Sequence, residues 1–386
     1  MEAQSIKKLL ILGTINTAAL MFSQETVHDT ISARNKVIDE VVITGNSNPK
    51  TSIRTSTSIS TLKQADIINA APRTTAEIFR TIPGIRSESS GGEGNSNITV
   101  RGVPVSAGGS RYLLIQEDGL PVMQFGDIAF GTQDQFTRFD SFVSRVEALR
   151  GGSASVFASN SPAGIINFIT KTGEKKGGSI TQQVGLNYNN FRTDVDYGTP
   201  LGKDFYIGVG GFYRVGRSRK AGYISNNGGQ FRISLLKKFE KGSIRIYGKY
   251  LDDRTAAYMP MPVAVSGSDS NPDYSSLSNY NILTGALQSS HFKNDLTFGG
   301  NGQILKSDIR DGMHSVSRTA GLEFNYDLGA GWKLDARARY AANDGQFLAP
   351  FPAAVGSKSE ILESVPRYGS AVYAGTNTAV DNDKSI

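Results

Sequence analysis

Trp332-Lys-Leu-Asp-Ala-Arg-Ala-Arg-Tyr340 alternates apolar and charged residues without a break. Successive side chains of a strand point to opposite faces, so Trp332, Leu334, Ala336, Ala338 and Tyr340 line one face and Lys333, Asp335, Arg337 and Arg339 the other. The same pattern runs from Thr319 to Leu328, where Ala320, Leu322, Phe324, Tyr326 and Leu328 oppose Glu323, Asn325 and Asp327. In Asp204 to Val215 one face carries Phe205, Ile207, Val209, Tyr213 and Val215, the other Tyr206, Gly208, Gly210 and Arg214. Seven strands of this kind are predicted, over 178–188, 191–201, 203–216, 229–239, 242–252, 318–328 and 331–343.

A soluble sandwich alternates too, so strand length and loops must decide. Strands of about 10 residues with aromatics near their ends fit a tilted span of the hydrocarbon layer, with lipid outside and water inside. The connections alternate in length. Leu201-Gly-Lys203, Glu240-Lys-Gly242 and Gly329-Ala-Gly331 are tight turns, whereas 217–228, 253–317 and the stretch from 344 are long. Short turns on one rim and long loops on the other mark outer-membrane barrels. Only Asn189-Asn190 is short where a long loop is due.

The rest of the chain supports export. Lys7 and Lys8 precede the apolar stretch Leu9 to Phe22, which is short for a spanning helix and suits a secretory signal peptide cleaved after Ser23. The chain has 43 glycines, 15 tyrosines, 19 phenylalanines, one tryptophan and no cysteine, a composition of turn-rich β structure. Without cysteine there is no disulfide framework, thiolate metal site or cysteine nucleophile. His28, His291 and His314 are dispersed and lack ligand spacing. The net charge of +6 is not clustered, the densest run being Arg217-Ser-Arg219-Lys220 in a loop, so nucleic acid is not an expected partner.

Residues 24–60 are rich in Ser, Thr and Asn and read as a mobile arm, which the resemblance given below implies is periplasmic. Within it Asp39-Glu-Val-Val-Ile-Thr-Gly-Asn46 is a β-prone run that can add a strand to a partner's sheet, and equally suits a first strand of the protein's own sheet. Residues 61–173 have the texture of an α+β domain. Thr75 to Ile82 has helical spacing and is stopped by Pro83-Gly84; strands follow at Ile98 to Gly102, Tyr112 to Glu117, Val143 to Arg150 and Gly164 to Thr170.

These residues resemble the TonB-dependent receptors of Gram-negative outer membranes. The phrases that carry the resemblance are Asp39 to Gly45, Ile82-Pro-Gly-Ile85, Asn97-Ile-Thr-Val-Arg-Gly102, Glu117-Asp-Gly-Leu-Pro121, Val146-Glu-Ala-Leu-Arg-Gly151 and Gly164 to Thr170, in that order. Phe157-Ala-Ser-Asn-Ser-Pro-Ala163 departs from the tyrosine-glycine turn common in the family. The resemblance implies an α+β plug domain followed by antiparallel transmembrane β-barrel strands over 174–386, seven where the family has about 22. The chain is therefore expected to be a truncated gene product or fragment.

The implied activity is energised uptake of a scarce nutrient, a ferric siderophore or other iron chelate first and an oligosaccharide or vitamin B12 second, with no catalytic residue and no cofactor. Implied partners are outer-membrane lipid, the nutrient and a TonB-type periplasmic energy transducer, which grasps Asp39, Glu40, Val41, Val42, Ile43 and Thr44. Arg101 and Arg150, with Glu147, are implied to lock the plug to barrel carboxylates, a role that suits bidentate arginine; the alternative is a surface arginine at each strand end. Candidates for substrate contact are Arg111, Gln124, Phe125, Asp134 and Gln135 in the plug, and Tyr258, Met259, Met261, Tyr274 and Tyr280 in the long loop.

Rival classes fare worse. No G-x-S-x-G and no placed histidine supports a hydrolase. Gly208-Val-Gly-Gly211 lies inside a strand and lacks the third glycine of a dinucleotide fingerprint. Asp269-Ser-Asn-Pro-Asp273 lacks calcium-loop spacing. A passive porin or adhesin shares the export signal and strands but has no use for the 39–46 run or a plug.

Overall fold

The computed structural model describes residues 41–386 except 43, 45–49, 52–57, 104–111, 125–126, 129–130, 152–153, 155–157, 187–188, 219–220, 278–279, 286–294, 299–300, 351–356, 365–371, 373–377 and 382–386. The expected signal peptide, Asp39, Glu40, Ile43, Arg111 and Phe125 lie outside the described residues.

Two short strands, β1 (Val41–Val42) and β2 (Lys50–Thr51), pair antiparallel, so Val41 and Val42 of the 39–46 run pair with the protein's own chain in this structure. The plug's main sheet joins β3 (Ile59–Lys63), β6 (Leu113–Glu117), β7 (Leu120–Pro121), β10 (Val143–Arg150) and β11 (Gly164–Thr170) in the order β3-β10-β11-β6-β7. Three small pieces complete it: the pair β4 (Ile85–Glu88) and β5 (Asn97–Val100), the pair β8 (Asp127–Ile128) and β9 (Gly131–Thr132), and a 3-10 turn over Gln133–Phe136. β11 and β6 run parallel and are buried along their whole lengths, which is why Gly164 to Thr170 reads as a nearly continuous apolar run.

Helices α1 (Gln64–Ala70) and α2 (Thr75–Arg80) cover one face. Thr74 caps α2 by accepting from the Glu77 amide at 3.3 Å, and the Glu77 carboxylate accepts from the Arg73 amide at 2.7 Å. Ile78, Phe79 and Ile82 then fall on the buried stripe, with the Phe79 ring 5.9 Å from that of Phe168 in β11. The expectation of a mobile arm to residue 60 needs correction at its end. Ile59 and Ser60 belong to β3, and Thr44 is buried, because backbone and hydroxyl groups find partners in the plug sheet that a polar composition does not reveal.

All seven alternating strands are present: β12 (Gly177–Gly185), β13 (Asn190–Gly202), β14 (Phe205–Gly216), β15 (Asn226–Phe239), β16 (Gly242–Thr255), β21 (Met313–Gly329) and β22 (Trp332–Phe347). They form one antiparallel sheet in sequence order, open at β12 and β22. The long connection before β21 holds the hairpins β17 (Ala264–Ser268) with β18 (Asn271–Ser275) and β19 (Asp295–Phe298) with β20 (Ile304–Ser307); helix α3 (Lys358–Ser364) follows β22. Asp269 and Ser270 make the turn of the first hairpin, in keeping with a solvated loop. Among the described residues no helix is long and apolar enough to cross a membrane.

The sheet's burial is inverted relative to a soluble protein. Tyr340 is 73% exposed and Ile180 63%, while Arg192, Asp194, Arg214, Arg232, Arg245 and Asp253 are buried against the plug. A face that keeps apolar groups out and charges in belongs in lipid around a polar interior. Phe239, Phe324 and Tyr326 cluster at the short-turn rim with ring centroids 6.1–6.3 Å apart, as an interfacial aromatic band does. Gly208 and Gly210 bring the plug close: a Cβ at either would lie 3.0 or 2.8 Å from the Phe142 ring. The glycines that fail as a nucleotide fingerprint are thus a seat for a plug aromatic.

Candidate functional site

Plug and strands meet through buried ion pairs. Arg138, with no side-chain exposure, donates from Nε to Asp253 Oδ2 at 2.8 Å and from Nη1 to the carbonyls of Asp134, Gln135 and Thr137 at 3.0, 2.8 and 3.1 Å. Arg214 donates from Nε to Asp253 Oδ1 at 2.9 Å and from Nη1 to Glu93 of the plug. The register explains the reach. Arg214 lies opposite Gly228, and Gly228 opposite Asp253, so the absent side chain on β15 lets an arginine of β14 meet an aspartate of β16. A second junction joins Arg232 and Lys249 to Glu117, at 2.8 and 2.7 Å, and Arg232 to Asp140 at 3.0 Å. Burial alone would raise the Glu117 pKa, but Arg232, Lys249 and Arg339 outweigh it and hold this carboxyl well below its usual range.

Above these pairs opens a cavity of about 580 Å³ between the plug loop at Ser89 to Glu93 and the long-loop ends of β13 to β16. Arg192, Arg214, Tyr258, Met259 and Met261 line it. The Tyr258 amide donates to Gly91 O at 3.0 Å, tying the long loop to the plug. Arg192 lies over the Phe212 ring at 3.9 Å and donates to the Asp194 carboxylate and the Phe139 carbonyl, so its guanidinium is held from three sides.

Of the predicted substrate residues that are described, Tyr258, Met259 and Met261 line the cavity wall. Asp134 and Gln135 were expected on the outward surface and are instead each 1% exposed. Asp134 accepts from the Ser96 amide at 2.7 Å and the Thr132 hydroxyl at 2.5 Å, and Gln135 donates to Gln346 O at 3.4 Å, so both side chains are turned to internal contacts. Gln124 is exposed, and its carbonyl accepts from Asn160 at 2.8 Å. Tyr274 is 62% exposed on β18, and the Tyr280 hydroxyl meets Met261 Sδ, so Tyr280 contacts the cavity lining from behind.

Among the described residues the arginines of the expected lock contact the plug itself. Arg101 donates to Ser58 Oγ at 2.8 Å and to Arg150 O at 3.5 Å, and Arg150 donates to Ser60 Oγ at 2.9 Å and to Pro83 O. Among the described residues no strand of the seven brings these two arginines a carboxylate; both face plug hydroxyls and carbonyls at the sheet's edge. Burial and the neighbouring Arg101 guanidinium push the Arg150 pKa down. Glu147 pairs with Arg145 at 2.8 Å and accepts from the Thr44 amide at 2.8 Å, while Asn167 donates to Thr44 Oγ1 at 3.0 Å. Thr44 of the 39–46 run is therefore seated on two plug strands. Sequence reading missed Arg138, Glu93 and Asp253; Arg214 was legible only as a charge on the inward face of its strand.

Residues 51–165 match the family model described as the TonB-dependent receptor plug domain. The vitamin B12 transporter BtuB of Vibrio cholerae is 29% identical over 150 residues, covering 38% of this chain and 23% of that one. The pyoverdine outer membrane receptor FpvA from Pseudomonas aeruginosa PAO1 shares the fold with a TM-score of 0.57 at 15% identity, over 80% of this chain and 41% of that one. The ferric yersiniabactin uptake receptor FyuA from Yersinia pestis gives 0.51 at 14% identity, over 75% and 41%. The chain thus spans less than half the length of these relatives. Plug and strands together define a plugged-barrel receptor fold. Over residues 51–165 the chain is similar to the plug domain of TonB-dependent receptors. By name these relatives are a transporter and uptake or outer-membrane receptors.

Proposed function

We propose that the protein takes part in energised uptake of a scarce nutrient across an outer membrane, with the plug as the movable barrier. The observation that carries this is the seating of a plug on the charged inner face of strands whose outer face is apolar. The run Asp39 to Thr44 is the handle for a periplasmic energy transducer. Its last residue is held by Glu147 and Asn167, both fully buried in the plug sheet, so a pull on the handle is transmitted to β10 and β11. The substrate we favour is a ferric siderophore or other iron chelate, taken up at the cavity beside Tyr258 and Met261.

Ile43→Pro in the intact receptor tests the handle, since proline removes an amide donor and resists strand pairing. Ligand binding is expected to stay unchanged and uptake to be abolished. Equal uptake by the variant would overturn the energised reading. Growth of a deletion strain on ferric chelates, vitamin B12 and oligosaccharides separates the substrate classes.

A further inference from the structure

The inner face of β15, β16, β21 and β22 carries five cations around one plug turn. Arg232 and Lys249 are directly opposed across β15 and β16; Arg245 opposes Glu323, which opposes Arg337; and Gly321 lies between Tyr247 and Arg339. All five approach the tip of the hairpin formed by β6 and β7. Arg232 and Lys249 bind the two oxygens of Glu117 at 2.8 and 2.7 Å, and Arg339 Nη1 lies 3.8 Å from one of them. Arg245 is 3.4 Å from Asp118 Oδ2, and Arg337 donates to Asp118 O at 3.2 Å. Asp118 and Gly119 both have positive φ, 51° and 85°, and a Cβ on Gly119 would lie 2.2 Å from Arg337 Nη1, so the turn is tight enough for the wall to lie directly against it.

The charge balance depends on the plug. The five cations meet five carboxylates, of which Glu117, Asp118 and Asp140 belong to the plug and only Glu323 and Asp335 to the wall. With the turn withdrawn the wall and Asp140 keep an excess of two positive charges, and with the whole plug withdrawn the wall keeps three. Even with the turn seated, Arg339 Nη1 has no hydrogen-bond acceptor although its side chain is only 6% exposed, and the buried Tyr247 hydroxyl beside it has none either. Donors left without acceptors in a low-dielectric setting are an unmet demand for one more oxygen acceptor.

We propose that this wall is an oxyanion site of the transport path, with the Glu117–Asp118 turn as its built-in occupant. When the plug moves, a carboxylate-bearing substrate takes the place of the Glu117 carboxylate at Arg232, Lys249 and Arg339. The site selects anionic cargo after the outer cavity has been passed, and the seated turn keeps stray anions out at rest. This rests on the uptake reading above.

Chemical rescue tests it on the full chain folded in detergent, with acetate as the probe and chloride at equal ionic strength as the control. Glu117→Ala is expected to lower the urea midpoint of the plug, and acetate to restore most of that loss where chloride does not. The parent should not distinguish the two salts, and adding Arg232→Gln to Glu117→Ala should remove the rescue. Equal effects of acetate and chloride on Glu117→Ala, or rescue that survives Arg232→Gln, overturn the site. Should Glu117→Ala not fold, Asp118→Ala with Arg245→Gln as its second change is read by the same criteria. The measurement needs no energy transducer, so its failure leaves the result of Ile43→Pro untouched, and the converse holds.

Discussion

Two groups of arginines on the plug and its wall behave in opposite ways. At the Asp253 and Glu117 junctions, arginines from plug and strands are desolvated and each meets a carboxylate across the boundary, Arg138 at Asp253, Arg214 at Glu93 and Arg232 at Glu117. At the corner of Arg101 and Arg150 the partners are serine hydroxyls and carbonyls of the plug itself, and one guanidinium sits beside another. The difference follows from solvent. A charge without water needs an opposite charge and full hydrogen bonding, whereas a half-solvated one is satisfied by neutral acceptors. Attachment of the plug to these seven strands is thus concentrated where exposure is lowest.

Asp253→Ala should break that contrast most strongly. It leaves Arg138 and Arg214 with Glu93 as the one carboxylate they still share, and losing one partner of a buried pair costs about 3–5 kcal/mol. The urea midpoint of the plug, followed by tryptophan-free probes such as near-ultraviolet tyrosine dichroism, should fall accordingly. A change below about 1 kcal/mol, the scale of a surface pair, would show that water reaches the junction. Gly210→Val comes next. Its side chain enters the space of the Phe142 ring, and overpacking of this kind costs about 1–3 kcal/mol. Adding Phe142→Ala should recover part of the loss; no recovery would mean that the two do not touch.

Acid sharpens the comparison without a mutation. The folded pKa of Glu117 is depressed, so its contribution is fully present above the unfolded carboxyl value of about 4.3 and is lost as pH falls through and below it. The urea midpoint should be flat from neutral pH to about 5 and then drop, with a shallower drop in Glu117→Gln. A midpoint that rises on acidification from pH 5 would contradict the sign.

The strands were legible because a lipid face and a lumen face force strict alternation, as at Trp332 to Tyr340. Their long-loop ends were less so. Ser315 and Ser317 point inward like the charges below them, yet small polar residues carry no contrast, and β21 begins at Met313 rather than near 318. The site was mostly illegible. Thr137-Arg-Phe-Asp140 has no periodicity, and the partner that explains a fully buried Arg138 lies 115 positions away. Asp134 and Gln135 looked like outward loop residues because a 3-10 turn packed under a loop has the same polar composition as the loop itself.

The smallest effect is expected at Arg101→Ala, and it bears most directly on what fastens the plug. Arg101 is exposed, holds a positive φ of 49°, and contributes one hydrogen bond to Ser58 and a long one to Arg150 O. Its guanidinium also opposes that of Arg150, whose pKa it helps to lower, so removing it relieves a repulsion while losing two modest contacts. Changes at exposed sites of this sort stay within about 0.5 kcal/mol. The urea midpoint should therefore match the parent's within error, and Arg150 should lose none of its contacts to Ser60 and Pro83. A loss comparable to that of Asp253→Ala would mean that Arg101 reaches a carboxylate that these seven strands do not supply, and the lock implied by family resemblance would then stand beside the buried junctions as a second fastening.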